Sequence, residues 1–270
     1  MSTTDIKLCR LCSFFIVLNN NFELNMGNKK FYKFRKCDDR YFESLRKGTI
    51  YFSSLQALND PFEGKFSLGE TRICNATTKL QDKMNRRLVF SMSEGFDDGN
   101  FIRDNHLMWT HYAEEHKGFC IEYNDNILSG FKDYELVRNI QENIWVRMHY
   151  NESMVDDILM EDDLERSVAN ILRNKNIAFK YENEVRLIRH TLDLNDKLKD
   201  VSDAVSAIYL GCRISCEDKM KLLSICYELG VKCFQMSLEK SSYTLRCDEI
   251  LFDKFELREV DPITCRLING

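Results

Sequence analysis

Two prolines in 270 residues, Pro61 and Pro262, leave this chain few places to break. Its 11 glycines are scattered, so no Pro/Gly/Ser-rich stretch reads as a linker between independent units. With 44% hydrophobic side chains the chain can bury one sizeable core. We therefore expect an N-terminal extension over residues 1–28 and a single α+β domain over residues 29–270.

The extension is set apart by its pattern. Lys7 and Arg10 precede an apolar run from Leu11 to Leu18, far shorter than the roughly 20 residues of a spanning helix. Asn19-Asn20-Asn21 stands where a signal peptide would carry small residues for cleavage. No membrane association is expected. Cys9 and Cys12 read as incidental thiols, because zinc would need a second ligand pair. All 11 cysteines are expected to be free, since their number is odd and several lie in apolar runs such as Phe119-Cys120-Ile121. That pattern suits a reducing, cytoplasmic location.

Charge narrows the partners. The 43 acidic and 38 basic residues give a net charge of -5. A mixed surface of this kind carries no strong nucleic-acid signal, which would need a basic face. A small nucleotide-like ligand in a local basic cleft remains compatible with it.

Periodicity places the elements. Alternation in Phe31-Tyr32-Lys33-Phe34-Arg35 predicts a strand with Tyr32 and Phe34 on one face and Lys33 and Arg35 on the other. A helix over Asp39 to Lys47, stopped by Gly48, and strands at Thr49 to Ser53 and Arg87 to Ser93 follow. His106 to Lys117 reads as a helix ended by a left-handed Gly118, with a strand over Phe119 to Tyr123. Met154 to Lys175 reads as a long amphipathic helix burying Val155, Ile158, Leu159, Val168, Ile171 and Leu172. Ala178 to His190 and Val205 to Leu210 read as strands. Ser215 and Asp218 resemble a capping box opening a helix to Leu229, ended by Gly230 before a strand at Val231 to Ser237. A last strand is expected around Tyr243 to Cys247. The sum is a mixed, mostly antiparallel sheet with packed helices.

Three constellations can carry chemistry. The first is Glu182-x-Glu184-x-Arg186. On one strand, residues two apart share a face at about 7 Å, so two carboxylates and a guanidinium would form a row. Like charges raise one pKa and the arginine lowers it again, which can leave one carboxyl ionised and its neighbour protonated. Such a pair suits glycosidic-bond cleavage; an exposed strand with a compensating ion pair is the plainer alternative. The second is Trp109, His111, Tyr112 and His116, either an aromatic wall of a ligand pocket or a core-facing stripe. No metal is expected there, since His106, His111 and His116 do not converge. The third is the turn Asn59-Asp60-Pro61-Phe62-Glu63, a rigid corner or a loop over a ligand, with Asn59 and Asp60 as candidates. No P-loop, dinucleotide or serine-hydrolase fingerprint occurs.

Four segments resemble a bacterial family known as domain of unknown function, DUF2971. They are Phe31 to Arg35, Leu58 to Glu63, Met108-Trp109-Thr110-His111-Tyr112-Ala113 with His116 to Tyr123, and Phe179 to Arg186. The layout also resembles ADP-ribosyltransferases: an early strand with basic residues, a central helix-to-strand unit and a late strand with Glu-x-Glu. That resemblance implies that Lys33 or Arg35 holds NAD and that Glu184 or Glu182 meets the nicotinamide-ribose hydroxyl as the bond breaks. Trp109, Tyr112 and Arg186 would complete the binding cleft. Lys33 stands where many members of that superfamily have His, and only Ser91-Met92-Ser93 offers a counterpart to their central serine motif. The implied activity is an NAD-consuming ADP-ribosyltransferase or glycohydrolase, in a toxin or phage-defence setting, with NAD as substrate and no permanently bound cofactor. The alternative is a non-enzymatic ligand-binding or sensor module using the same cleft.

Overall fold

The computed structural model describes residues 29–65, 74–96, 100–137, 142–153, 164–193 and 195–252. The extension over residues 1–28 and the stretch Met154 to Asp163, with Val155, Ile158 and Leu159, lie outside them. The chain opens with β1 (Lys29–Arg35), α1 (Asp39–Arg46), β2 (Thr49–Tyr51), β3 (Ser53–Ser54), α2 (Cys74–Asn85) and β4 (Arg87–Phe96). Next come α3 (Asn100–Asp104), α4 (His106–Tyr112), β5 (Phe119–Tyr123), β6 (Lys132–Asp133), β7 (Ile144–Arg147) and β8 (His149–Asn151). The last third holds α5 (Leu164–Leu172), β9 (Asn174–Asn176), β10 (Glu184–His190), β11 (Leu198–Asp200), β12 (Val205–Leu210), α6 (Cys216–Leu229), β13 (Lys232–Leu238) and β14 (Leu245–Ile250).

Ten strands form one mixed sheet in the order β14-β13-β12-β5-β1-β4-β10-β7-β6, with β3 also paired to β4. Only β12 with β13 and β6 with β7 run parallel within it. The first parallel pair is joined by α6, opened by Ser215, whose hydroxyl accepts from the Asp218 N–H, and closed by left-handed Gly230. This is the α+β architecture expected, with the capping as read from the sequence.

Side-chain alternation sends each strand into two apolar layers. On one face Phe31, Phe90, Met92, Ile121 and Ile208 pack with Phe42, Leu222 and Cys226 of α1 and α6. The opposite face carries two separate clusters. One joins Val89, Val146 and Ile188 to Leu80, Met84, Val168 and Ile171 of α2 and α5; the other joins Tyr32, Phe34, Cys120 and Tyr209 to Trp109 of α4. Among the described residues no helix is long and apolar enough to cross a membrane.

Several expectations need correction. The helix read as running to Lys175 ends at Leu172, and Lys175 lies on β9. Ala178 to His190 is not one strand: residues Ile177–Glu182 form a 3-10 turn, and Asn183 takes φ 43° before β10 begins. Asparagine tolerates that left-handed region better than most residues. The helix from His106 ends at Tyr112, because Glu114, Glu115 and His116 all have positive φ. Gly118 is not left-handed; it is required because a Cβ there would lie 2.1 Å from the Arg35 carbonyl oxygen. Among the cysteines, Cys37, Cys120, Cys212, Cys226, Cys233 and Cys247 are free, whereas Cys216 is disulfide-bonded, so the expectation of 11 free thiols fails.

Candidate active site

The cleft forms where β1 and β4 part. Their pairing ends at Tyr32 opposite Ser93, while β1 continues on β5 to Arg35. Beyond that point Lys33 donates its ammonium to the Ser91 carbonyl at 2.5 Å in place of a ladder bond. The opening has a volume of about 750 Å³, lined by Lys33, Arg35, Asn59, Asp60, Glu63, His111, Tyr112, Lys175, Glu182 and Glu184 among others. Register puts Glu184 opposite Ser93 and Arg186 opposite Ser91, on the face bearing Tyr32. The two therefore stand between the two apolar clusters of that face, where a charged pair separates them.

Neither carboxylate is exposed, so the plainer reading of a solvated ion pair is overturned: Glu182, Glu184 and Arg186 are 4, 5 and 1% exposed. Although Glu182 sits on the 3-10 turn rather than on β10, the left-handed step at Asn183 brings it beside Glu184. Lys175 Nζ bridges them, 2.6 Å from Glu182 and 2.9 Å from Glu184. Arg186 contacts Glu184 through Nε at 2.6 Å and Glu63 through Nη2 at 2.6 Å, and donates from Nη1 to the Leu172 carbonyl at 2.9 Å. Tyr112 donates its hydroxyl to Glu182 at 2.5 Å. Tyr150 accepts from the Glu184 N–H at 2.8 Å. One oxygen of Glu63 is buried without a partner.

These contacts push the two carboxyls apart. Burial raises both, but at Glu184 the Arg186 and Lys175 cations reverse it and hold the carboxyl well below the usual carboxylate range. At Glu182 burial prevails over Lys175 and Tyr112, and its pKa is raised. Burial also lowers Lys33, with help from Arg35, to about 7, against the pull of Glu184 and Glu182. Lys175 is buried too, yet its three carboxylate neighbours raise it. Burial, aided by the Glu182 hydrogen bond, raises Tyr112.

Of the residues singled out from the sequence, Lys33, Arg35, Asn59, Asp60, His111, Tyr112, Glu182 and Glu184 share this cleft. Arg186 supports it from beneath rather than lining it. Trp109 belongs to the core: it is fully buried, its indole N–H donates to the Ile102 carbonyl at 2.9 Å, and Phe34 packs edge-on at 5.1 Å. His116 stacks on Trp109, 6.0 Å between centroids, and does not line the cleft. Lys175 and Tyr150 were not singled out; a lysine directly after an amphipathic stripe is the only local signal for the first. Among the described residues no cluster of His, Cys, Asp or Glu is arranged to hold a metal ion.

No curated protein and no solved structure matches the chain. The resemblance to ADP-ribosyltransferases therefore rests on the residues alone. Residues 108–187, which carry Tyr112, Lys175, Glu182, Glu184 and Arg186, are similar to DUF2971, a family described as protein of unknown function.

Proposed function

We propose that the cleft binds NAD and cleaves its nicotinamide N-glycosidic bond, passing the ADP-ribosyl group to water or to an acceptor. The observation that carries this reading is the pair of buried carboxyls with pKa values moved in opposite directions, in one cleft whose lining also includes Lys33 and Arg35. Its volume falls in the range of about 300–1,000 Å³ common for small-molecule sites.

In this reading Lys33 and Arg35 attract the pyrophosphate. The ionised Glu184 faces the positive charge that develops on the ribose as the C–N bond breaks. The bonding pair leaves with nicotinamide, which departs neutral. An oxygen nucleophile then bonds to the ribose carbon, and its proton goes to Glu182, the carboxyl with the raised pKa. Arg186 and Lys175 hold Glu184 in place and do no proton transfer. The toxin or phage-defence setting attaches to this reading through resemblance alone.

The test is nicotinamide release by purified protein, with thermal melts to check folding. Wild type should release nicotinamide, and Glu182→Gln should lose more transfer to an acceptor than NAD cleavage. Binding of NAD without release would favour the non-enzymatic module; neither binding nor release would remove NAD from the proposal.

A further inference from the structure

Glu182 closes the 3-10 turn and Glu184 opens β10, so Asn183 alone separates the two carboxylates. On a regular strand, side chains two apart stand about 7 Å from each other. Here both reach one ammonium, that of Lys175. One step past the pairing of Glu184 with Ser93, Asn183 stands opposite Glu94. A hydrogen-bonded pair in an antiparallel ladder exchanges two main-chain bonds. The backbone makes only one of them: the Glu94 N–H donates to the Asn183 carbonyl at 2.9 Å, whereas the Asn183 N–H has turned away to the Lys180 carbonyl at 3.2 Å. The side chain replaces the missing bond, with Asn183 Nδ2 donating to the Glu94 carbonyl at 2.6 Å.

Glu94 is a firm anchor for this corner. It is buried, it stands opposite Phe31 of β1, and its carboxylate accepts from Arg147 Nε at 2.7 Å and Nη2 at 2.8 Å. We propose that Asn183 is a positioning residue: by lending its side-chain amide to the β4 ladder, it fixes the left-handed step that brings Glu182 and Glu184 onto Lys175. This rests on the reading of that pair as the groups that act on the ribose. The residue type answers two demands. A φ of 43° favours Gly, Asn and Asp, and the Glu94 carbonyl needs a donor. Glycine has no side chain to give, and an ionised aspartate only accepts. Asparagine meets both demands. Asn183 is itself exposed, so burial of its side chain does not account for its presence.

Two variants separate these demands. Asn183→Gly keeps the left-handed φ and removes the donor. Asn183→Asp keeps the φ and regains a donor only when its carboxyl is protonated, an O–H in place of the amide. Neither removes a buried side chain, so both are expected to fold, which thermal melts check. For Asn183→Gly we expect kcat for nicotinamide release to fall by about 10–10²-fold with KM for NAD unchanged, since Lys33 and Arg35 are untouched. For Asn183→Asp, kcat relative to wild type should be low at neutral pH and climb as pH falls. An unchanged kcat in Asn183→Gly, a loss confined to KM, or an Asn183→Asp ratio that does not climb with acid would overturn the proposal. If glycine prevents folding, the aspartate ratio decides.

A second readout needs no turnover. Carbon-13 NMR of the glutamate carboxyls should find Glu182 and Glu184 titrating apart in wild type. In Asn183→Gly the two should draw together, because a Glu182 released from the buried corner titrates nearer its ordinary value. Titrations unmoved by the substitution would overturn the positioning role even if NAD is cleaved. If wild type does not cleave NAD, the reading of the function falls, while the titrations still decide whether Asn183 holds the pair.

Discussion

Two buried acidic centres in this molecule look alike and are built for different ends. Glu122 on β5 is 7% exposed. It accepts from Tyr209 at 2.6 Å and Ser206 at 2.7 Å, with Lys30 at 3.1 Å. One carboxylate meets one cation and two hydroxyls, and the residue does not line the cleft. At the cleft, three carboxylates share Lys175 and Arg186, and one Glu63 oxygen is left over. Burial of a carboxylate is therefore no mark of a site by itself; surplus charge beside an opening is.

The largest expected effect separates the two centres by removing the cation. Lys175→Met would strand buried negative charge and should destabilise by about 3–5 kcal/mol, with relief as acid protonates the carboxyls. Lys30→Met, at a more exposed ammonium, should cost no more than about 1 kcal/mol. Equal losses in urea titrations of the two variants would erase the contrast. The carboxylates come next. Glu184→Gln should lower nicotinamide release by about 10²–10³, or roughly 3–4 kcal/mol of barrier. Glu122→Gln should weaken folding by about 1–3 kcal/mol and leave release unchanged. A Glu122→Gln protein that folds but fails in release would tie that centre to the chemistry.

The smallest effects lie in pH. Glu184 has a lowered folded pKa, so its stabilisation is complete above the unfolded value near 4.3 and is lost as pH falls toward the folded one. Glu182, raised, works in the opposite sense. Stability of Glu184→Gln should therefore fall less steeply than wild type below about pH 4.3. Lys33 is lowered to about 7 when folded, so from there up to its unfolded pKa the unfolded chain holds the extra proton. Stability from this group rises with pH in that window, and Lys33→Met should flatten the rise in denaturant midpoints. A wild type whose midpoint does not climb between these limits would mean that Lys33 keeps its proton in the fold.

Local patterns made most of the elements legible. Alternation located β1, the reading of Val205 to Leu210 as a strand matches β12, and the Ser215 and Gly230 caps bounded α6. The site was legible as residue types but not as an assembly. Glu182 and Glu184 were placed on one strand because Asn183 does not interrupt a period of two, although its left-handed φ is what turns the chain. Glu63 stood in a recognised turn, but its partner Arg186 is 123 residues away, and no local pattern encodes a contact of that span. Trp109 and Tyr112 both pack with one apolar cluster, but Tyr112 also carries a hydroxyl that reaches Glu182 at the cleft, a contact that no local pattern encodes.

The turn after α4 is clamped by two close approaches: Gly118 against the Arg35 carbonyl, and Gly211 against the His116 carbonyl, where a Cβ would sit 2.1 Å away in each case. No side chain fits at either place, whatever reaction the cleft performs. In evolutionary drift, these two glycines would outlast the chemistry. A descendant that had exchanged Tyr112 or Glu182 for another use would still need both glycines to keep its strands together. Glycine at both positions in a relative would thus attest shared ancestry of the scaffold and say nothing of shared activity; that second question would be answered at Tyr112, Lys175 and Glu182.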